Sequence, residues 1–318
     1  MRAIFFTVFF AIFISSPKAQ IVDAEDDLKA ISIDSTDGWE FHGLTSLNIS
    51  QVGLTNWAAG GQSSIAANGI INLTADWKKG PSIWNNSLYL GYGVLRQGTR
   101  ILTTSGPFIK TEDRIELSSK YGKQISEHWY YAGLVNFNTQ ATPGYSYPND
   151  SVIISKFLAP AYLLVAFGMD YELDEVFSAF IAPMTLKMTF VNDDSLAHNG
   201  AYGVEPAQFD DAGLLISEGK KFRSEYGGFL RVMFKKTFME NVTLTSKLSL
   251  FSNYAHNPQN IDVAWENLLE LKVNKFISAT ISTHLIYDDD IAITDADGNV
   301  GPRTQFKEMV GIGFSYKF

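Results

Sequence analysis

The sequence predicts an all-β chain, a transmembrane antiparallel β-barrel of about twelve strands with short periplasmic turns and long extracellular loops. Three observations predict it. Apolar and polar residues alternate at period two over runs of about 12 residues, whereas a globular strand usually has about 5–6. The connections between runs alternate between short and long. The last run alternates cleanly and ends on an aromatic, Phe318.

Residues 1–19 read as an export signal. Arg2 is the positive start, Ala3–Ile14 is apolar but too short to span a bilayer, and Ser15–Ala19 turns small and polar. Cleavage is expected after Ala19, although Pro17 departs from the small residue usual before a cleavage site. Residues 20–38 are expected to form a flexible periplasmic segment, acidic over Asp23–Asp27, and residues 39–318 the outer-membrane barrel. Beyond Ala19 no apolar run reaches the roughly 18 residues of a membrane helix.

Strands are expected at Trp39–Gln51, Ser63–Trp77, Ser82–Gln97, Thr111–Lys123, Trp129–Gln140, Val152–Tyr171, Phe177–Val191, Lys221–Phe238, Asn241–Ala255, Ile261–Asn274, Phe276–Asp288 and Gln305–Phe318. Tight turns follow the even-numbered strands: Lys78–Pro81, Gln124–His128, Glu172–Val176, Met239–Glu240 and Lys275. Longer connections rich in Gly, Asn and Asp follow the odd-numbered ones: Val52–Gln62, Gly98–Lys110, Ala141–Ser151, Asn192–Lys220 and Asp289–Thr304, with His256–Asn260 as the short exception. Outer-membrane barrels have this asymmetry, and an even strand count returns both termini to the periplasmic side.

Parity separates two faces. In Asn241–Tyr254 one set is Val242, Leu244, Leu248, Leu250 and Tyr254, against Thr243, Thr245, Lys247 and Ser249. In Glu308–Phe318 one set is Val310, Ile312, Phe314, Tyr316 and Phe318. That final strand must pair with the first, because lipid cannot satisfy an open backbone edge. It is also the expected contact with the outer-membrane assembly machinery. Aromatics gather near strand ends, with Trp39, Trp77, Trp84, Trp129, Tyr130, Tyr131, Tyr171, Phe238, Phe276 and Phe318 at one level. Tyr145, Tyr147, Tyr254 and Tyr287 lie at the other, as two interfacial girdles require. Trp265 falls mid-strand, facing lipid.

Composition narrows the function classes. Charged residues make up 19%, below the roughly 25% of soluble domains, while 46% are hydrophobic. A net charge of −9 argues against a nucleic-acid partner. The absence of Cys removes disulfides, thiolate metal sites and cysteine nucleophiles. No cofactor is expected.

The lumen carries the sharpest candidates. Inner-parity charges are Arg114, Glu116, Lys120, Arg223, Glu225, Arg231, Lys235, Lys247, Glu266, Glu270 and Lys272. Hairpin arithmetic places Arg231 opposite Ser249, Ser249 opposite Glu266, and Glu266 opposite His284, with Lys247 and Glu270 beside this row. Charges of both signs facing one another suit a bridged, partly filled lumen. Such a lumen is either a narrow channel selecting a small solute or a purely structural filling. In the first outer loop, Asn56 and Trp57 are expected to fold inward and cap the lumen. The long Asn192–Lys220 loop is expected to lid the barrel or meet a partner. Asp288, Asp289, Asp290, Asp295 and Asp297 have oxygen-rich spacing that is weakly compatible with calcium, without the full loop of an EF-hand.

An enzyme is the alternative. The chain has five histidines, His42, His128, His198, His256 and His284. A hydrolase at the rim, acting on lipid or peptide, would need one of them beside a Ser or Asp. Asp193, Asp194, Asp210, Asp211 and His198 supply such a loop set, although acidic loops are commonly just solvated.

Several stretches together resemble a known family. They are Asn48–Gly61, Leu90–Gly98, Thr111–Gly122, Phe157–Tyr162, Asn257–Glu266, Ile286–Ile291 and Phe306–Phe318. On these the chain is similar to an uncharacterised outer-membrane β-barrel family of Bacteroidota, catalogued as a domain of unknown function. The resemblance implies fold and location, and it transfers neither a reaction nor a residue role.

Overall fold

The computed structural model describes residues 37–52, 63–98, 107–147, 149–173, 176–272, 274, 277–294 and 299–317. The leader, nearly all of the 20–38 segment, Asn56, Trp57, Asp295, Asp297 and Phe318 lie outside them.

Twelve long strands form a closed antiparallel barrel. They are β1 (Gly38–Val52), β2 (Ser63–Lys79), β3 (Ser82–Gly98), β4 (Ile109–Gln124), β5 (Trp129–Thr139) and β6 (Ala161–Leu173). The other half comprises β7 (Phe177–Phe190), β8 (Phe222–Met239), β9 (Val242–Asn253), β10 (Ile261–Lys272), β11 (Ser278–Tyr287) and β12 (Gln305–Lys317). Each pairs with its neighbours in chain order, and β12 returns to β1 through Leu44–Lys317, Thr45–Tyr316, Ser46–Ser315 and Leu47–Phe314. The β1–β2 ladder, in contrast, runs through fifteen pairs from Gly38–Lys78 to Val52–Ser64.

One expected strand is corrected. Val152–Tyr171 is not continuous: Ile153–Ser155 pairs with Gly144–Tyr145 in a small outer hairpin, and the barrel strand starts at Ala161. Pro160 has no amide to donate to a ladder, and Leu158 takes a positive φ of 57°, so the chain turns there before entering the barrel.

Strand β7 is bulged at mid-height. Phe167 pairs with Met184 but Met169 with Ile181, and on the other edge Gly227 pairs with Thr185 but Phe229 with Ala182. Both ladders therefore skip at Pro183, where a missing amide is tolerated. Gly168 faces this bulge, and a Cβ there would drive into the Ile181 carbonyl and the Ala182 backbone. Outside the bulge lies an apolar groove of about 860 Å³ lined by Tyr131, Val135, Phe167, Met169, Ile181 and Met184.

The outer wall is apolar, with Phe41, Leu73, Leu117, Val135, Phe167, Ile181, Met184 and Trp265 all exposed. Rings gather at its two ends. Trp39 lies 5.6 Å from Trp84, Trp129 5.0 Å from Tyr171, and at the other end Phe190 lies 5.1 Å from Phe222. Tyr130 departs from the expected girdle: it is 4% exposed and packs inward with Ile83. It is one residue out of phase with Trp129 and Tyr131, so strand alternation turns it to the other face. Trp265 does face outward, its indole donating to the Ser246 hydroxyl at 3.0 Å.

The outer loop between β7 and β8 is folded onto the barrel mouth. A short helix, α1 (Asp194–His198), is capped by Asp193, whose side chain accepts from the Leu196 amide at 2.9 Å. Val191, Leu196, Ala197 and Val204 pack with Ala159 into a small apolar cluster.

Candidate functional site

Inward parity along the strands gathers charge in three layers. At the periplasmic end, Lys120 of β4 meets Asp170 at 2.5 Å and Glu172 at 3.3 Å, both from β6. The two carboxylates are buried, with Tyr130 and Ile83 on the same face.

The middle layer is built around Glu266 of β10. Lys247 lies at 3.6 Å, His284 at 3.7 Å and Arg114 at 3.9 Å from its carboxylate. Lys247 and His284 are ladder neighbours of Glu266. Arg114 is not: β4 and β10 stand six strands apart around the ring of twelve, so this pair spans the lumen from opposite walls. Arg114 also pairs with Glu116, which accepts from Asn136 at 2.7 Å, and its guanidinium sits 5.3 Å from the centre of the Tyr89 ring. A second tie crosses from Lys307 of β12 to Glu112 of β4.

At the outer end Lys187 of β7 contacts Asp262 at 2.6 Å, Asp288 at 3.2 Å and Glu225 at 3.6 Å. Arg223 pairs with Glu225 at 2.9 Å and with Asp290, and donates to the Gly203 carbonyl at 3.2 Å. These contacts pin the β11–β12 and β7–β8 loops across the mouth. Asp289 accepts from Asn260 at 2.5 Å. Asp288, Asp289 and Asp290, three of the five aspartates weighed for calcium, thus turn to three different partners, and no metal-holding group of His, Asp and Glu is formed among the described residues.

The expected lumen row is partly right. Arg231 faces Ser249, and Glu266 faces His284. Ser249 does not face Glu266; it pairs with Ala264, while Lys247 takes the place opposite Glu266. The cause is the β9–β10 connection, which is centred between His256 and Asn257 because Ser252 pairs with Ile261. That is one residue earlier than expected, which moves the register by two and keeps the parity. Glu270 is buried opposite Thr243 and Thr280, and Lys272 lies opposite Ser278 on the same face.

Sequence reasoning missed an apolar patch inside the lumen. Ala132, Leu134, Ala166, Phe180, Ala182, Phe229 and Phe251 are buried together, with Phe180 edge-on to Phe229 at 6.3 Å. The signal was present: Phe229 shares parity with Arg231, and Phe251 with Lys247 and Ser249. Lys187, Asp170, Asp262 and Lys307 were missed too, and parity would have found them.

Four of the five histidines have these partners among the described residues. His284 sits by Glu266, His42 3.9 Å from Glu40, and His256 3.3 Å from the Asn257 amide. His198 contacts the Glu218 carboxylate at 2.6 Å and the Asp194 carbonyl at 3.0 Å. Asp193 and Asp194 are tied to Lys156 at 2.6 Å and Lys221 at 2.5 Å. The hydrogen bond from Lys156 and that from the Leu196 amide hold the Asp193 carboxyl below the usual carboxylate range.

Among solved structures, the chain is similar to an outer membrane channel from Pseudomonas putida F1, at 10% identity and a TM-score of 0.42, over 92% of this chain and 98% of that one. It is similar to the translocator domain of the autotransporter NalP from Neisseria meningitidis, at 8% identity and a TM-score of 0.38, over 92% and 91%. The toluene transporter TodX of P. putida matches at 10% identity and a TM-score of 0.33, over 89% and 80%. Likeness at this level carries no residue role across. No curated protein sequence matches the chain. The family described as "Protein of unknown function (DUF3078)" matches residues 49–145, from the end of β1 to just past β5, and over that stretch the resemblance read from the sequence is borne out.

Proposed function

We propose that the protein is a non-enzymatic outer-membrane β-barrel, exported by residues 1–19, through which a small solute passes along a narrow path closed by charge pairs. The apolar outer wall with rings at both ends supports its seat in lipid. The C-terminal stretch of the sequence, Gln305–Phe318, is the segment offered to the outer-membrane assembly machinery. One observation carries the reading of the lumen: Arg114 and Glu266 meet at 3.9 Å from opposite walls. A static filling has no need to join walls that neighbouring ladders already hold. Charged side chains lining a narrow path select solutes by charge.

Conductance in a planar bilayer tests this. Wild-type protein is expected to give small, infrequent openings. Glu266→Gln leaves Arg114, Lys247 and His284 facing the path, so openings should grow and shift towards anion preference. Equal, silent traces from wild type, Glu266→Gln and Arg114→Gln would sink the passage and leave a structural or assembly role.

A further inference from the structure

Arg231 stands apart from the lumen cations placed above. Lys120, Lys187, Arg114, Arg223, Lys247 and Lys307 each hold a carboxylate. Arg231 faces Phe180 across one ladder and Ser249 across the other, with Phe229 and Met233 two residues away along its own strand. None of these is acidic. Its buried Nε has no hydrogen-bond partner among the described residues. Its guanidinium carbon lies 5.3 Å from the centre of the Phe229 ring. That contact offsets only part of the lost hydration, about 0.5–2 kcal/mol at most sites. Lys247 pairs directly with Met233, on the diagonal from Arg231, and reaches Glu266 at 3.6 Å.

The arginine therefore sits at the edge of the apolar patch, where Phe229 faces Phe251 and lies edge-on to Phe180. Among the described residues this is a cation without a counterion, beside three aromatic rings, inside a chain of net charge −9. A guanidinium fork fits a carboxylate in two-point contact, and the rings supply cover for an apolar body. We propose that the lumen binds an organic carboxylate carrying an apolar body, its charge on Arg231 and its body over Phe180, Phe229 and Phe251. The inference rests on the passage proposed above and names the class of solute that uses it.

The test uses the full refolded barrel in detergent micelles with naphthoate as probe, read by equilibrium dialysis. Naphthalenemethanol has the body without the charge, and acetate the charge without the body. Saturable naphthoate binding is expected. Arg231→Gln should weaken it by at least about tenfold, the scale of one charge-assisted contact, and leave naphthalenemethanol unchanged. Arg231→Lys keeps the charge but not the two-point fork, so its affinity should fall between wild type and Arg231→Gln. Acetate at the same concentration should not compete. Ser249→Asp keeps the arginine but places a carboxylate directly opposite it, and should abolish naphthoate binding. Equal naphthoate affinity in wild type, Arg231→Gln and Ser249→Asp, each shown folded by its strand circular dichroism, overturns the site. A barrel that conducts but binds no naphthoate overturns the site alone. One that binds naphthoate yet stays silent as Glu266→Gln overturns only the passage.

Discussion

Replacing Lys120 by methionine should be among the most damaging single changes in the barrel wall. It removes the cation at 2.5 Å from Asp170 and 3.3 Å from Glu172, and leaves two carboxylates that are only 2% and 6% exposed without it. Two unit charges about 4 Å apart interact by roughly 4 kcal/mol at an effective dielectric constant of about 20. Lys120 makes two such contacts, offset by its own desolvation. Stripping one partner from a buried pair costs about 3–5 kcal/mol, because the remaining charge stays buried and unpaired. We expect a loss of that size in urea unfolding of the protein in lipid vesicles, followed by tryptophan fluorescence. Asp170→Asn should cost less, since Lys120 keeps Glu172. The triple variant Lys120→Met, Asp170→Asn, Glu172→Gln should recover more than half of the loss, because it buries no charge. A loss below about 0.5 kcal/mol for Lys120→Met, the range of ordinary surface changes, would refute the reasoning. So would a triple variant no better than the single one.

Three further outcomes follow from the geometry. Gly168→Val should block folding, seen as loss of the compact band in unheated gel electrophoresis, because its side chain enters the Ile181 carbonyl and the Ala182 backbone; Gly69→Ala, with nothing within 4 Å of the added carbon, should fold normally. Lys187→Met frees Asp288 and Asp262, so the β11–β12 loop should exchange amide hydrogen faster over Asp288–Ile291, with no change at the Lys120 layer. Asp193 has a folded value below its unfolded one of about 3.9, so its contribution is full above that pH and is lost as pH falls through the folded value. The Leu196 amide should therefore lose protection, relative to its unfolded rate, only below about pH 4, and Asp193→Asn should remove that dependence; a loss already present at neutral pH would refute the cap.

Strand number, face and the alternation of turns were legible because they depend on parity and turn residues, which are local. The register between neighbours was legible to within a residue where a turn is tight: Arg231 lies opposite Ser249 across the short turn at Glu240 and Asn241, with a one-residue shift between Thr237 and Met239 completing the alignment. It slipped between β9 and β10, where His256–Asn260 is long enough to be centred in more than one way. Val152–Tyr171 was overextended because apolar content was weighed above Pro160 and the small hairpin that precedes it. The Arg114–Glu266 tie was not legible at all. It depends on the bore of the cylinder and on the reach of two side chains, quantities no hairpin count supplies. Arg231 was named from its parity, but that its buried Nε has no partner among the described residues follows only from its three-dimensional neighbours.

The join between the first and last strands, four pairs among the described residues, has a mechanical consequence. In a hoop under thermal load, the shortest weld fails first, because opening it breaks the fewest hydrogen bonds. Motion that parts the cylinder thus begins beside Leu44–Leu47 and runs sideways into the surrounding hydrocarbon, while the fifteen-pair joint next to it stays shut.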